Sequence, residues 1–106
     1  MRIEIFVVKT EIDNNMPYLV KIGCLKGLED LKAEICSEFG GLTEISNFKG
    51  YWLNEGKICV DIGDLWLIYT DSTDTVAIID DFAKRIKKLT AQKSQLYTID
   101  NKAYFV

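Results

Sequence analysis

Apolar residues recur at every second position near the start of the chain, at Ile3, Ile5 and Val7. Successive side chains of a strand point to opposite faces, so this pattern predicts a strand over residues 2–10. The intervening positions are polar at first and become apolar from Phe6 onward. Apolar side chains on both faces are typical of a central strand, so we expect this strand to lie inside a sheet.

Turn-forming residues follow at residues 13–17, which read Asp-Asn-Asn-Met-Pro. Asn and Asp tolerate left-handed backbone and proline fixes its own φ, so a turn is predicted at this point. Residues 18–22 contain the β-branched Val20 and Ile22. These residues favour an extended or loop segment over a helical turn begun by Pro17.

Two later stretches carry apolar residues at helical spacing and are predicted to form helices over residues 27–39 and 75–89. The apolar face of the first helix consists of Leu28, Leu31, Ile35 and Phe39. The apolar face of the second consists of Ile79, Phe82, Ala83, Ile86 and Leu89. Gly40-Gly41 supplies a left-handed stop for the first helix, and residues 71–74, Asp-Ser-Thr-Asp, are expected to cap the second.

A β-hairpin is predicted between the two helices, with strands over residues 42–53 and 58–69. Its turn is expected to be a three-residue loop, Asn54-Glu55-Gly56, in which the glycine adopts positive φ. After the second helix, residues 95–99 and 103–106 are predicted to form two short strands.

The second hairpin strand changes phase within its length. Its regular apolar positions are even-numbered up to Ile62 and odd-numbered from Leu65. Gly63 lies at this change of phase, which predicts a β-bulge or a sharp bend in the strand.

The order of elements is strand, helix, strand, strand, helix, strand within a chain of 106 residues. This length fits one domain, residues 1–106. With right-handed crossovers the order predicts an α+β, ferredoxin-like βαββαβ fold. Such a fold has a four-stranded antiparallel sheet with both helices on one face, and extra short strands can extend it.

The helices of such a fold cover one face of the sheet, so we expect an apolar patch on the other face. The candidate ligand or interface residues are Phe6, Tyr51, Trp52, Trp66, Ile68 and Tyr69. A patch of this kind usually marks an interaction surface, and the favoured prediction is a homodimer joined sheet to sheet. The alternative is that residues 10–25 fold across the sheet and seal it within one chain.

Several motifs resemble those of a group of short uncharacterised microbial proteins. The pattern begins with Phe39-Gly40-Gly41-Leu42-Thr43 and continues with Gly50-Tyr51-Trp52, Gly56 and Gln95-Leu96-Tyr97. The likeness spans about residues 35–100 and rests mostly on structural glycines and aromatic residues. It implies a similar order of helix, hairpin, helix and strand. No activity comes with the resemblance, so it implies no catalytic residues.

The net charge of −3 and the pI near 4.9 disfavour nucleic-acid binding, which relies on a basic surface. Residues 5–8, Ile-Phe-Val-Val, resemble the first-strand motif of ferredoxin-like RNA-binding sheets. The other central strand lacks the basic-Gly-aromatic motif of those sheets. Core or dimer packing of the aromatic residues is therefore favoured over base stacking, with a small-molecule pocket as the second choice.

The location of the protein is predicted from apolar runs and cysteines. No apolar run approaches the ~20 residues that a membrane helix needs, and the first residues do not resemble a signal peptide. The three cysteines, Cys24, Cys36 and Cys59, lie within or beside apolar patterns, which favours reduced, buried thiols. We therefore expect an intact, cytoplasmic protein without a membrane partner.

The chain contains no histidine, which removes Ser-His and Cys-His nucleophile pairs, histidine-ligated metals and imidazole catalysis. The carboxylates that could bind Mg²⁺ or exchange protons are Asp61, Asp64, Asp71 and Asp74. Their spacing matches no metal loop, so a wet strand face and a helix cap are favoured. A solvated helix end is likewise favoured over a phosphate site for Lys84, Arg85, Lys87 and Lys88. No catalytic residue, metal or cofactor is predicted.

Three functions follow from these patterns. The favoured function is that of a non-catalytic module that acts through homodimerisation or partner binding. The alternative is a small dimeric α+β-barrel-type enzyme, or a ligand-binding protein, with an apolar cavity beside the sheet. The third is a nucleic-acid-associated accessory protein, which only the size and the basic helix end support.

Overall fold

A computed structural model describes the backbone of residues 1–13, 16–19 and 22–106, and the side chains of residues 1–9 and 25–106. The strands are β1 (Arg2–Asp13), β2 (Met16–Leu19), β3 (Thr43–Asn54), β4 (Lys57–Tyr69), β5 (Leu96–Ile99) and β6 (Lys102–Phe105). The helices are α1 (Ile22–Phe39) and α2 (Val76–Leu89). The predicted helices and the central hairpin are thereby confirmed, although α1 begins earlier than expected.

The strands form one antiparallel sheet in which β3, β4, β1, β5 and β6 follow one another. Residues 3–5 of β1 pair with β5, and residues 10–13 of β1 pair with β2. The protein is therefore an α+β protein with an antiparallel sheet and two helices. Among the helices that the structure describes, none combines the length and the apolar character that crossing a membrane requires.

Both helices pack on one face of the sheet, and the hydrophobic core lies between the two layers. The sheet contributes Ile3, Ile5, Val7, Trp66, Ile68, Tyr97 and Ile99. The helices contribute Leu28, Leu31 and Ile35 from α1 and Ile79, Phe82, Ala83 and Ile86 from α2. The apolar helical spacing in the sequence therefore identified the buried face of each helix correctly.

The predicted placement of Trp66 and Ile68 on the uncovered face is wrong. Both side chains are 0% exposed and belong to the core under the helices. Ile5 pairs with Trp66 and Ile3 pairs with Ile68, so these β4 residues share the helix-covered face of β1. The Trp66 indole N–H donates to Oε1 of Glu44 at 3.2 Å, which satisfies the buried donor.

The face opposite the helices carries the side chains that alternate along each strand with those of the core, and it is called the open face. β1 presents Phe6 and Val8 on it, and β4 presents Leu65 and Leu67. The pairing of Phe6 with Leu65 places these two sets on the same face.

The irregularity predicted at Gly63 is present, but the extra residues lie in the two neighbouring strands. The register shifts at Lys9 in β1 and at Asn47 in β3, and Gly63 lies beside both shifts. A Cβ atom at Gly63 would lie 1.9 Å from the carbonyl oxygen of Val7. Only glycine therefore allows β1 and β4 to approach this closely.

The hairpin turn is shorter than the predicted three-residue loop. Asn54 pairs with Lys57, so only Glu55 and Gly56 lie in the loop. Their φ angles are 52° and 78°. Two consecutive residues with positive φ suit a type I′ turn, whose twist matches that of the flanking strands.

The ends of the helices differ in part from the prediction. α1 stops at Phe39 as expected, and Gly40, with φ of 86°, donates its N–H to the carbonyl of Cys36 at 2.8 Å. The N-cap of α2 is Thr75 rather than a residue of the acidic stretch before it, and Thr75 makes no side-chain capping bond. Its hydroxyl instead donates to Sδ of Met1 at 2.9 Å.

The segment after β1 is described only in part. Residues 18 and 19 lie in β2, as the predicted extended segment requires. Met16 and Pro17, which were predicted to lie in the turn, also belong to β2, and Ile22, which was predicted to be extended, begins α1. The predicted turn at residues 13–17 includes Asn14 and Asn15, and the segment 18–22 includes Val20 and Lys21; these four residues lie outside the described residues. The alternative prediction, that residues 10–25 fold across the sheet and seal it, depends mostly on side chains that lie outside the described residues.

Candidate ligand site on the open face

A cavity of about 770 Å³ opens on the open face, at the end where the hairpin extends. β1, β3, β4 and the loop between α2 and β5 provide its lining. After the extra residue Asn47, the even-numbered side chains of β3 lie on the open face, because Phe48 pairs with Gly63 as Val8 does. The register shift in β3 thereby places Phe48 beside Phe6, and Trp52 further along the same face.

The walls of the cavity are mainly aromatic. The rings of Phe6 and Phe48 meet edge to face, with 5.6 Å between their centroids. Trp52 extends this wall along β3, and Phe105 contributes from β6. Tyr51 also borders the cavity, although its pairing with β4 places its side chain on the other face of β3. Such walls bind flat apolar molecules through dispersion and stacking.

Asp61 is the acidic residue of the lining. It pairs across the sheet with Gly50, so no side chain from β3 fills the space opposite its carboxylate. The side chain is partly buried, and its Oδ1 is enclosed without a hydrogen-bond partner. Burial raises the pKa of the Asp61 carboxyl, and a hydrogen bond from Trp52 offsets part of this rise.

Gln95 provides a second enclosed acceptor. The residue is 1% exposed, and its Nε2 donates to the carbonyls of Phe6 at 2.6 Å and Leu96 at 3.0 Å. These two acceptors fix the orientation of the amide, which leaves Oε1 buried without a partner. Within the described residues, the buried side-chain atoms that lack a partner are this Oε1 and Oδ1 of Asp61, and both residues line the cavity.

The structure brings together three of the six residues that the sequence proposed for an interaction surface. Phe6, Tyr51 and Trp52 line the cavity. Trp66 and Ile68 lie in the core on the opposite face. Tyr69 is 62% exposed and pairs with Arg2 at the far end of the open face, outside the cavity lining.

Sequence reasoning missed most residues of the lining, among them Phe48, Gln95 and Phe105. Phe48 lies beside a bulge that no local sequence pattern indicates. Phe105 lies on a terminal strand for which the sequence predicted no pairing strand. In the sequence, Gln95 was noted only as part of a motif. A glutamine next to the apolar residues of a strand is itself an indication of a buried amide. Asp61 was considered and assigned to a wet strand face, whereas the structure places it in the cavity lining.

The other candidate carboxylates have structural surroundings. Asp64 is buried and forms an ion pair with Lys9 at the bulge of β1. Asp71 and Asp74 are exposed in the stretch before α2. Among the side chains that the structure describes, those of residues 1–9 and 25–106, the acidic and cysteine groups form no cluster of three or more suited to a metal ion.

The basic end of α2 takes part in ion pairs along and beside the helix. Lys84 contacts Asp80 at 2.9 Å, and Arg85 contacts Glu34 of α1 and lies over the ring of Phe82. These contacts agree with the prediction of a solvated helix end. They join α2 to α1 across the outer surface of the helix layer.

The cysteines differ in their surroundings. Cys59 is buried, as predicted, whereas the prediction of a buried Cys36 is wrong because this residue is exposed on α1. Cys36 follows Ile35 in the helix and points away from the buried stripe. The side chain of Cys24 lies outside the described residues.

No protein-family model and no curated protein sequence matches the chain. The resemblance to short microbial proteins stays a prediction.

Proposed function

We propose that the protein binds a small, mainly apolar molecule in the cavity of the open face. The observation that carries this proposal is the aromatic cavity of about 770 Å³, whose lining includes the partly buried carboxyl group of Asp61 and the buried amide residue Gln95. Sites for small molecules are typically clefts of roughly 300–1,000 Å³ with mainly apolar and aromatic walls and a few polar groups. The proposal assigns a binding role to the cavity and no chemical reaction.

The scaffold proposed for this role is the ferredoxin-like arrangement, with β2 and β6 as additions. The neighbouring order of β3, β4, β1 and β5 supports it, because each hairpin strand then lies where a βαββαβ chain would place it. We also propose that the protein acts in the cytoplasm, as the cysteine pattern suggests.

An apolar fluorescent dye such as anilinonaphthalene sulfonate tests the proposal without knowledge of the natural ligand. We expect the dye to bind the wild-type protein and to lose about tenfold or more in affinity in Gly50→Leu. Leucine at this position would fill the space opposite Asp61. The control is Gly41→Leu, since Gly41 lies outside the lining and has open space around its Cα. Equal dye affinity in both variants would contradict the proposal.

A second candidate function is homodimerisation through the open face. Ile45, Tyr69 and Phe105 are 48%, 62% and 69% exposed on this face, around and beyond the cavity. The pairing of Ile45 with Leu65 and of Tyr69 with Arg2 places their side chains opposite the helices. A second copy packed sheet to sheet would cover these residues and roof the cavity.

Sedimentation velocity distinguishes this second candidate. We expect a dimer at about 50 µM, a concentration at which a complex of micromolar Kd is mostly formed. Ile45→Lys should shift the protein to a monomer, whereas Ile58→Lys should not, because the register places the exposed Ile58 on the opposite face of β4. A wild-type monomer at this concentration would exclude the dimer.

A further inference from the structure

We infer that the ligand of the open-face cavity is a flat aromatic compound that carries N–H donors, such as an amidine or an aromatic amine, and that it pairs with Asp61. This inference rests on the proposed function and names the class of molecule that the cavity selects. It follows from the chemistry of the Asp61 carboxylate, the aromatic walls and the space beside Asp61.

The two polar groups fixed in the lining both require donors. The Gln95 amide has its N–H₂ group committed to two backbone carbonyls, at 2.6 and 3.0 Å, so it presents only an oxygen. An ionised Asp61 presents only acceptors. A ligand with N–H groups can pair with the Asp61 carboxylate, whereas a ligand with only acceptors would leave the carboxylate without a donor.

Space for such a group exists beside the carboxylate. Gly50 lies directly opposite Asp61 in the β3–β4 pair, and a Cβ atom at Gly50 would have only Phe48 nearby, at 3.7 Å. Oδ1 itself is covered, so pairing requires a rotation of the carboxylate toward this space. Asp61 is only partly buried, which leaves room for that rotation.

The walls select a flat ring. Phe6, Phe48 and Trp52 present aromatic surfaces to the cavity. An amidine attached to a ring is planar and can donate two parallel N–H bonds to one carboxylate, the geometry that also makes arginine–carboxylate pairs strong. A ring against the aromatic wall with its donor group toward Asp61 satisfies both features at once.

Two lysines also line the cavity and bear on the charge of the ligand. Lys49 and Lys93 are both exposed, so water and salt screen their charges. Asp61 is desolvated, and interactions with a desolvated charge are stronger than those with a solvated one. The carboxylate is therefore the stronger influence on the charge of the ligand.

Benzamidine and benzoate test the inference, because the two molecules have nearly the same shape and opposite hydrogen-bonding character. Binding to the full chain is followed by ¹H–¹⁵N NMR and by tryptophan fluorescence. Trp52 lines the cavity and Trp66 lies in the core, so Trp52→Phe identifies the responding residue. We expect benzamidine to bind about tenfold or more tightly than benzoate.

The matched variants are Asp61→Asn and Asp71→Asn, which change the net charge equally. We expect Asp61→Asn to abolish the preference for benzamidine and Asp71→Asn, at an exposed site before α2, to retain it. The folding of each variant is checked by circular dichroism.

The outcomes separate the inference from the proposed function. Equal affinity for benzamidine and benzoate, or a preference that survives in Asp61→Asn, would overturn the inference and leave the cavity as a binding site. Dye binding at the cavity without benzamidine binding would likewise overturn the inference alone. Failure of the dye and of both probes would overturn the proposed function as well.

Discussion

Gly63→Ala is the substitution that tests the sheet geometry most directly. Gly63 lies in β4 beside the register shifts of both neighbouring strands. A Cβ atom added there would lie 1.9 Å from the carbonyl oxygen of Val7, 2.8 Å from its carbonyl carbon and 2.9 Å from the Cα of Val8. All three atoms belong to the backbone of β1, so no side-chain rotation can relieve the contact.

The cost follows from these distances. Overpacking of a core usually costs about 1–3 kcal/mol, and the upper end applies where backbone must move. Replacing glycine by alanine also reduces the entropy of the unfolded chain, which returns about 0.4–1 kcal/mol. We therefore expect a net loss of at least about 2 kcal/mol. At roughly 4 °C per kcal/mol for a domain of this size, the Tm should fall by about 8 °C or more.

Thermal and urea denaturation followed by circular dichroism measure this loss. The matched control is Gly50→Ala in β3, where the new Cβ would make an ordinary 3.7 Å contact with Phe48. We expect the control to change stability by less than about 0.5 kcal/mol. A Gly63→Ala protein within about 1 kcal/mol of wild type would show that β1 and β4 do not approach as closely as described.

Three further substitutions have defined expectations, each measured by urea denaturation. Tyr97→Phe removes the hydroxyl that donates to Asp80 Oδ1 at 2.9 Å, and it should cost about 1 kcal/mol at pH 7. The hydrogen bond from Lys84, and after it the one from Tyr97, lowers the pKa of Asp80. The stabilisation by the ionised carboxylate is therefore present above the unfolded-state pKa and is lost as the pH falls through the lowered folded-state pKa. The difference in unfolding free energy between Tyr97→Phe and wild type should shrink in that pH range. Asp61→Asn should stabilise the protein by about 1 kcal/mol at pH 7, because burial raises the pKa of this carboxyl and penalises its ionised form. The gain should vanish below the ordinary aspartate pKa of 3.8, where the acid is protonated in both states, and a gain that persists there would contradict this cause. Gly56→Ala, at φ of 78° in the hairpin turn, should cost about 1 kcal/mol, and a neutral result would argue against the type I′ turn.

The elements of the fold could be predicted because their signals are local. The helical spacing of Leu28, Leu31 and Ile35 identifies the buried face of α1 without knowledge of its partners. The change of phase in the apolar pattern at Gly63 likewise indicates an irregularity in the sheet. The strand that carries the extra residue could not be predicted, because a bulge depends on the register between two strands.

The face of Trp66 could not be predicted for a related reason. β4 carries apolar residues at Leu65 and Leu67 as well as at Trp66 and Ile68, so periodicity alone does not distinguish its two faces. The pairing of Ile5 with Trp66 decides the question, and these residues lie far apart in the sequence.

The candidate site depends even more on distant contacts. Asp61 alternates with apolar neighbours and reads locally as a solvent-facing residue. Its surroundings come from Gly50 and Trp52 on β3 and from the loop before β5, which the chain reaches only after α2. No local pattern contains this information, so the sequence could name Asp61 as a candidate without indicating its burial.

We expect the two glycines of the open face to have different roles, one in stability and the other in binding. Gly63 allows the backbone of β1 to approach β4, whereas Gly50 has only Phe48 within 4 Å of an added Cβ atom. The fold therefore requires glycine at Gly63, and the space left by Gly50 serves the cavity beside Asp61. A Gly50 variant that folds normally and loses ligand, beside a Gly63 variant that loses stability, would assign these two roles. If Gly50→Leu instead retained full affinity, the space opposite Asp61 would have no role in binding, and the proposed ligand site would be contradicted.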